Sequence, residues 1–202
     1  MEHTVNQITV RGELQNLPEF SHENHGKRFY RFYLEVGRLS GTKDILPIVA
    51  QESLLQNMDL SGGDMITVTG QVRSHNSREN GIRRLLIFIF ATSVTAEYGE
   101  PINTLTIEGP ICKEPAYRRT PLGREICDVM LAVPRAFRRA DYLPCILWGK
   151  MAQQVSQCHT SDRIRIQGRL QSRIYTKLTE DGPEERTAYE ISALTAEIPD
   201  TE

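Results

Sequence analysis

The chain has 202 residues, of which 39% are hydrophobic and 25% charged, and its formal net charge is −2 at pH 7. No apolar run approaches the ~18 residues of a membrane-spanning helix, and the first residues, Met1-Glu2-His3, lack the basic and apolar character of a targeting segment. All 4 cysteines lie in the second half without a C-x-x-C pair, which favours reduced thiols in a cytoplasmic protein.

The sequence repeats itself after 97 residues. Residues 6–12, NQITVRG, return as residues 103–109, NTLTIEG, and the register then holds for about forty residues. After one inserted residue an aspartate, a glycine and a serine also repeat: Asp64, Gly70 and Ser74 match Asp162, Gly168 and Ser172. A period of this length is the size of a domain, not of a solenoid repeat. We therefore predict a first copy at residues 1–98 and a second copy at residues 99–202.

Each copy is predicted to consist mostly of strands. In the second copy, five segments rich in Ile, Leu and Val are bounded by Pro, Gly or charged turns: 104–109, 127–133, 142–147, 163–172 and 189–193. Between the third and fourth segments Met151, Val155 and Cys158 recur at helical spacing, and residues 52–58 take the same place in the first copy. This order predicts an all-β protein of two tandem OB-folds, which are five-stranded Greek-key barrels with a short helix between strands three and four. Other small barrels fit the same order.

Several blocks of the second copy follow one another in an order that resembles the bacterial single-stranded DNA-binding protein family: NTLTIEG at 103–109, EP at 114–115, Gly123, LAVPR at 131–135, DY at 141–142, WGK at 148–150 and GRLQSR at 168–173. The resemblance covers nearly the whole second copy, whereas the first copy matches through scaffold residues only. It implies an OB-fold that wraps single-stranded DNA. For a chain with two such folds it also implies a homodimer that holds four.

Charge is distributed unevenly along the chain. Residues 98–179 hold thirteen Lys and Arg against seven Asp and Glu, a balance of +6, whereas residues 180–202 hold eight acids and one Arg, a balance of −7. Attraction to phosphate depends on the local field and not on the average charge. We therefore expect the basic surface to be confined to the body of the second copy.

The fourth predicted strand of the second copy alternates between two kinds of side chain, and alternate residues of a strand point to opposite faces. One face carries the apolar set Ile164, Ile166, Gly168, Leu170 and Ile174. The other carries Arg163, Arg165, Arg169, Arg173 and Tyr175. We expect the first face to pack inside the barrel and the second to present a row of guanidinium groups that ends in an aromatic ring.

Three rings of the second copy are candidates for base stacking, because the resemblance places the family's stacking aromatics at Tyr142, Trp148 and Tyr175. Every base has a π-face, so such rings bind without sequence preference. Trp148 could instead belong to the core. The full set of predicted nucleic-acid contacts combines these rings with neighbouring basic residues: Arg135, Phe137, Arg138, Arg139, Tyr142, Trp148, Lys150, Arg169, Arg173 and Tyr175. Arg118 and Arg119, in a predicted hairpin loop, are either further contacts or solvated surface.

The first copy has Ile45 and Gln51 where the second has Tyr142 and Trp148, so we expect its binding face to be degenerate. Its own rings cluster in the second predicted strand at residues 29–33. Alternation makes half of them core, and the rest are an interface or a rebuilt binding surface.

The chain contains no H-E-x-x-H, G-x-S-x-G or phosphate-loop motif. We therefore predict no catalytic residue, no metal site, no cofactor and no enzymatic activity. The last residues, AEIPDTE, are acidic, but they lack the flexible linker and terminal Pro-Phe tip with which the family docks partner enzymes.

The predicted function is sequence-independent binding and protection of single-stranded DNA in replication, recombination or repair, at the nucleoid and mainly through the second copy. The alternative is an OB-fold scaffold for protein interaction, of primosome type, with weak DNA binding. The loss of stacking rings from the first copy favours this alternative, whereas the row of arginines on the fourth predicted strand of the second copy opposes it.

Overall fold

The computed structural model describes residues 5–79, 82–179 and 182–199, so the acidic residues 200–202 of the predicted tail lie outside the described part. The first copy forms six strands: Asn6–Leu14 (β1), Glu19–Asn24 (β2), Lys27–Gly37 (β3), Lys43–Gln51 (β4), Met65–Glu79 (β5) and Ile82–Ala96 (β6). The second copy forms six more: Ile102–Pro110 (β7), Ala116–Arg119 (β8), Glu125–Arg135 (β9), Arg139–Trp148 (β10), Arg163–Thr179 (β11) and Gly182–Glu197 (β12).

Helical structure is confined to short segments in the part of the chain that the structure describes. Gly149–Val155 (α1) follows β10, and 3-10 turns occupy Glu52–Leu54 after β4 and Ala136–Arg138 before β10. The helix predicted between strands three and four is therefore an α-helix in the second copy but a single 3-10 turn in the first. Across the described residues, no helix has the length and apolar character needed to cross a membrane.

The strands form two barrels joined along one sheet, in the order β2-β3-β4-β6-β5-β1-β7-β11-β12-β10-β9-β8. Leu14 pairs with Leu34 to close the first barrel, and the equivalent bridge from Ile111 to Leu131 closes the second. β4 and β6 run parallel, as do β10 and β12. This topology confirms the predicted fold class. The domain boundary at residue 98 stays a prediction.

Each barrel also carries a short strand that was not predicted, β2 in the first copy and β8 in the second. Every residue of both strands is exposed, so neither has the apolar alternation by which a strand is recognised in sequence. Arg118 and Arg119 consequently lie in β8 and not in a loop. Their guanidinium groups pair with Asp128 and Glu125 on the adjacent strand β9.

The repeated residues of the sequence hold equivalent places in the two barrels. The side chain of Asn6 donates a hydrogen bond to the carbonyl of Val72 and accepts one from its N–H group. Asn103 forms the same pair of bonds with Leu170. Gly168 is required by close packing, because a Cβ atom there would lie 2.2 Å from the carbonyl oxygen of Ser192. These repeats therefore specify the scaffold and not a binding site.

Strands β1 and β7, which carry the repeated NQITVRG and NTLTIEG motifs, pair with each other and join the two barrels. Their antiparallel register places Asn6 opposite Ile107, Val10 opposite Asn103, and Ile8 opposite Leu105. Because Ile8 and Leu105 are themselves 97 residues apart, the pairing is its own image under exchange of the two copies. The copies are thus related by a pseudo-twofold axis at this residue pair, as in an isologous dimer interface.

Two buried carboxylates lock the barrels together through reciprocal contacts. Asp44 of the first copy accepts a hydrogen bond of 2.8 Å from the N–H of Ser172 in the second. Asp141 of the second copy accepts one of 2.8 Å from the N–H of Ser74 in the first. Both carboxylates are fully buried, and Arg38 and Arg135 respectively form ion pairs with them. The repeated aspartates and serines therefore form a second contact between the copies, beside the pairing of β1 with β7.

Replacing Asp44 with alanine should lower the free energy of unfolding by about 3 kcal/mol or more, because it leaves the partly buried Arg38 without its charged partner and the Ser172 N–H without an acceptor. The matched control is Glu35→Ala, which removes a surface ion pair with Lys43 and should cost about 1 kcal/mol or less. Urea denaturation measures both variants. Equal, small losses would contradict a locking role for Asp44.

Candidate nucleic-acid interface

Strand β10 points two of the predicted rings away from the barrel core. Leu143, Cys145 and Leu147 alternate into the core and are almost completely buried. Tyr142 lies on the opposite face with 43% of its surface exposed, and Trp148 is half-buried at the end of the strand. The predicted shared face of Tyr142 and Trp148 is therefore present. Six residues of strand separate the two rings by about 20 Å, so they do not form one cluster.

The tight connection between β9 and β10 presents Phe137 and two arginines to solvent. Phe137 and Arg138 both adopt left-handed backbone conformations, with φ of 61° and 54°. This conformation is uncommon outside glycine and marks positions where the surroundings dictate the backbone. The ring of Phe137 is 93% exposed, and Arg138 and Arg139 form no ion pair with any residue that the structure describes. This loop therefore offers a free ring beside two uncompensated cations.

The register of the sheet brings Arg173 to the same end as Tyr142. Cys145 of β10 lies opposite Ile191 of β12. Tyr142 lies three residues before Cys145, and Ala188 lies three residues before Ile191, so Tyr142 and Ala188 are at the same level of these parallel strands. Ala188 in turn pairs with Arg173 on β11. The guanidinium of Arg173 lies 5.6 Å from the ring centroid of Tyr175, which is 37% exposed. One end of the face thus collects the 137–139 loop, Tyr142, Arg173 and Tyr175.

A second group of predicted contacts lies at the other end of β10. Trp148 pairs across the sheet with Ile126, and the neighbouring row places Ile146 beside Ser192 and Ser192 beside Arg169. Arg169 is half-buried, and its Nε atom has no hydrogen-bond partner among the described residues. Lys150 is exposed on α1 directly after this row. Trp148, Lys150 and Arg169 therefore form a separate patch.

The predicted arginine row on β11 is only partly free. Arg163 and Arg165 both form ion pairs with Glu108 on the adjacent strand β7, at 3.2 and 2.7 Å. Partial burial acts to raise the pKa of Glu108, but hydrogen bonds from Arg165 and Arg163 lower it overall. The sequence of β11 could not predict the ion pairs with Glu108, because the alternation within one strand does not show which strand lies next to it.

The predicted inward position of Ile174 is wrong. Its side chain is 69% exposed, because this part of the hairpin extends beyond the barrel.

The acidic residues after position 179 that the structure describes lie in the strand β12. β12 pairs with β11 along its whole length, which brings its carboxylates beside the arginines of the candidate face. Glu190 accepts a hydrogen bond of 2.9 Å from Gln171 and lies 3.9 Å from Arg173. The carboxylates of β12 and the arginines of β11 therefore form one surface of mixed charge, and the basic residues of the second copy are not separated from its acids.

Arg135 has a structural partner as well as its predicted place near the face. Its Nη1 atom lies 3.3 Å from Oδ1 of Asp141, the buried carboxylate that also contacts Ser74 of the first copy. A guanidinium bound to a buried carboxylate is less available to phosphate than the exposed groups of Arg138 and Arg139.

Comparison with known proteins places the chain in a family. The model of the single-strand binding protein family matches residues 102–198. Single-stranded DNA-binding protein B of Bacillus subtilis is 34% identical over 80 residues, which cover 36% of this chain and 71% of that protein. The chain belongs to the single-strand binding protein family. This membership confirms the resemblance found in the sequence and agrees with the expectation that the chain is not an enzyme.

Other relatives are matched over a smaller share. The single-stranded DNA-binding protein of Bacillus cereus is 35% identical over 81 residues, and the match spans 48% of its length. The crystal structure of wild-type single-stranded DNA binding protein from Thermus aquaticus superposes over 98% of this chain and 95% of that one, with a TM-score of 0.81 at 20% identity. This similarity supports the fold of both copies together.

Two arginines near the face should respond differently to truncation. Arg135→Ala should lower the free energy of unfolding by about 1–3 kcal/mol, because it removes the guanidinium that is hydrogen-bonded to the buried Asp141 and leaves only Arg73, 3.7 Å away, as a charged partner. Arg138→Ala should change it by less than about 0.5 kcal/mol, because the exposed side chain has no described partner. Thermal and urea denaturation measure both effects. A larger loss for Arg138→Ala than for Arg135→Ala would contradict this assignment.

Proposed function

We propose that this protein binds single-stranded DNA without sequence preference, mainly through the outer face of the second copy. The observation that carries the proposal is the 137–139 loop, where a ring that is 93% exposed lies beside two arginines without described partners. Exposed aromatic faces stack on bases, and free guanidinium groups neutralise phosphates. Family membership supports the same reading.

The bases stack on Tyr142, Trp148 and Tyr175 in this proposal, with Phe137 as a further platform at the loop. The backbone contacts come from Arg138, Arg139, Lys150, Arg169 and Arg173, with a smaller share from Arg135. The two groups at opposite ends of β10 give a strand of DNA two separate points of attachment along the face.

The cellular role that follows is protection of single-stranded DNA during replication, recombination or repair, at the nucleoid in the cytoplasm. We also propose that the chain forms a homodimer with four OB-folds, as its family resemblance implies. Sedimentation equilibrium measures this directly, and a monomer at micromolar concentration would contradict it.

A second candidate function has support from one observation. Arg118, Arg119, Arg163 and Arg165 are all paired with carboxylates, which reduces the positive field of the second copy. This arrangement favours a scaffold for protein interaction with weak DNA binding.

Salt dependence separates the two functions. If five cations of the second copy neutralise phosphates, the logarithm of the binding constant for oligo-dT should fall with the logarithm of salt concentration with a slope of roughly −3.5. The double variant Arg138→Ala, Arg139→Ala should make that slope less steep by about 1.4. Fluorescence anisotropy of a labelled oligonucleotide measures both. A slope near zero, or no binding at low salt, would favour the scaffold.

The stacking contribution is tested at Tyr142 with a matched pair of variants. Tyr142→Leu should weaken binding by about 1–3 kcal/mol, because it removes the ring on which a base stacks, whereas Tyr142→Phe should bind like the wild type. Neither should move the melting temperature much, because the side chain is 43% exposed. Equal affinity for the two variants would show that the ring does not stack on a base.

A further inference from the structure

The outer face of the first copy carries rings and a cation that the proposed function does not use. His22 of β2 stacks on Phe29 of β3, with ring centroids 4.9 Å apart and planes inclined by 10°. Phe29 in turn contacts Phe90 of β6, with centroids 5.8 Å apart. Arg31 lies on the same face of β3 as Phe29 because the two residues share a parity. We call His22, Phe29, Arg31 and Phe90 the first-copy cluster.

The strand pairing arranges this cluster in two adjacent rows across the sheet. One row contains His22, Phe29 and Gln51, and the other contains Arg31, Val49 and Phe90. The equivalent rows of the second copy contain Arg118, Ile126 and Trp148 in one, and Asp128, Ile146 and Ser192 in the other. The second of these rows ends on Arg169 of β11.

The aromatic residue of the first row lies on a different strand in each copy. In the second copy the aromatic residue is Trp148 on β10 and its cross-strand neighbour is Ile126 on β9. In the first copy Gln51 takes the place of Trp148, and Phe29 takes the place of Ile126. Phe90 adds a ring where the second copy has a serine. The first copy therefore lacks rings at the predicted positions but has them on neighbouring strands of the same face.

One of these rows in the first copy presents a cation, Arg31, to an anionic ligand. Arg31 is exposed and forms no ion pair or side-chain hydrogen bond within the part of the chain that the structure describes. Glu19 lies opposite it on the edge strand β2, but no salt bridge joins them. In the second copy the position of Arg31 is held by Asp128, which is paired with Arg118.

We propose that the first copy carries a second binding surface for single-stranded DNA, formed by the first-copy cluster. The proposal rests on the proposed function and extends it to the copy that sequence predicted to be degenerate. A base stacks on the exposed ring of His22, and Arg31 neutralises a phosphate beside it. The partly exposed ring of Phe90, which lies 5.5 Å from the guanidinium of Arg73, borders the bound DNA. Phe29, which is 7% exposed, supports His22 from below.

The test uses the full chain, because the copies share the β1–β7 pairing. Two exposed positions are changed together, His22→Ala and Arg31→Glu, and Lys113→Glu is the matched charge-reversal control. Lys113 is an exposed cation on a loop of the second copy, outside the first-copy cluster. The probes are fluorescent oligo-dT of increasing length and oligo-dT carrying 5-iodouracil for photo-crosslinking and peptide mapping. Circular dichroism and thermal denaturation confirm that each variant is folded.

The proposal predicts crosslinks to peptides from β2, β3 and β6 as well as from the second copy. It also predicts that His22→Ala, Arg31→Glu shortens the occluded length of DNA and weakens binding of long oligonucleotides by about tenfold, whereas Lys113→Glu does neither. Crosslinks confined to the second copy, with unchanged affinity and length for the double variant, would overturn this inference and leave the proposed function standing. An absence of binding by the wild-type chain would overturn the proposed function itself.

Discussion

The pairing of β1 with β7 determines how the two barrels meet. Because the paired strands are the repeated motif, the contact is nearly its own image under exchange of the copies, with Ile8 and Leu105 at the axis. Once this register is set, β4 of the first barrel lies against β11 of the second, and β10 of the second lies against β5 of the first. Asp44 then meets Ser172, and Asp141 meets Ser74. A shift of one residue would turn every side chain of the strand to the opposite face and separate both carboxylates from their partners.

The two copies have kept this scaffold and changed their outer faces. The asparagines that bond to β5 and β11 and the aspartates between the barrels recur with equivalent contacts. The outward rows recur in geometry but not in chemistry, since rings and cations occupy different strands in each copy. A repeated fold thus constrains where a binding surface lies without determining which residues form it.

Much of this arrangement could be predicted from sequence because it depends on local pattern. The alternation of β11 correctly buried Ile164, Ile166 and Leu170, and the parity of β10 correctly placed Tyr142 and Trp148 on one face. What depends on neighbouring strands could not be predicted. Glu108 forms ion pairs with Arg163 and Arg165, and Glu190 lies near Arg173, through pairings that connect distant parts of the chain. The sequence repeat shows that Asp44 and Asp141 are equivalent residues, but their role is seen only in the contact between the two copies.

Tryptophan fluorescence provides a direct test of DNA binding at the second copy, because Trp148 is the one tryptophan of the chain. The emission of the full chain would be followed during titration with oligo-dT at low and at moderate salt, with anisotropy of labelled DNA recorded in parallel. Stacking of a base on Trp148 predicts strong quenching that added salt reverses. An unchanged emission while the anisotropy shows bound DNA would place the site away from Trp148 and contradict the stacking account.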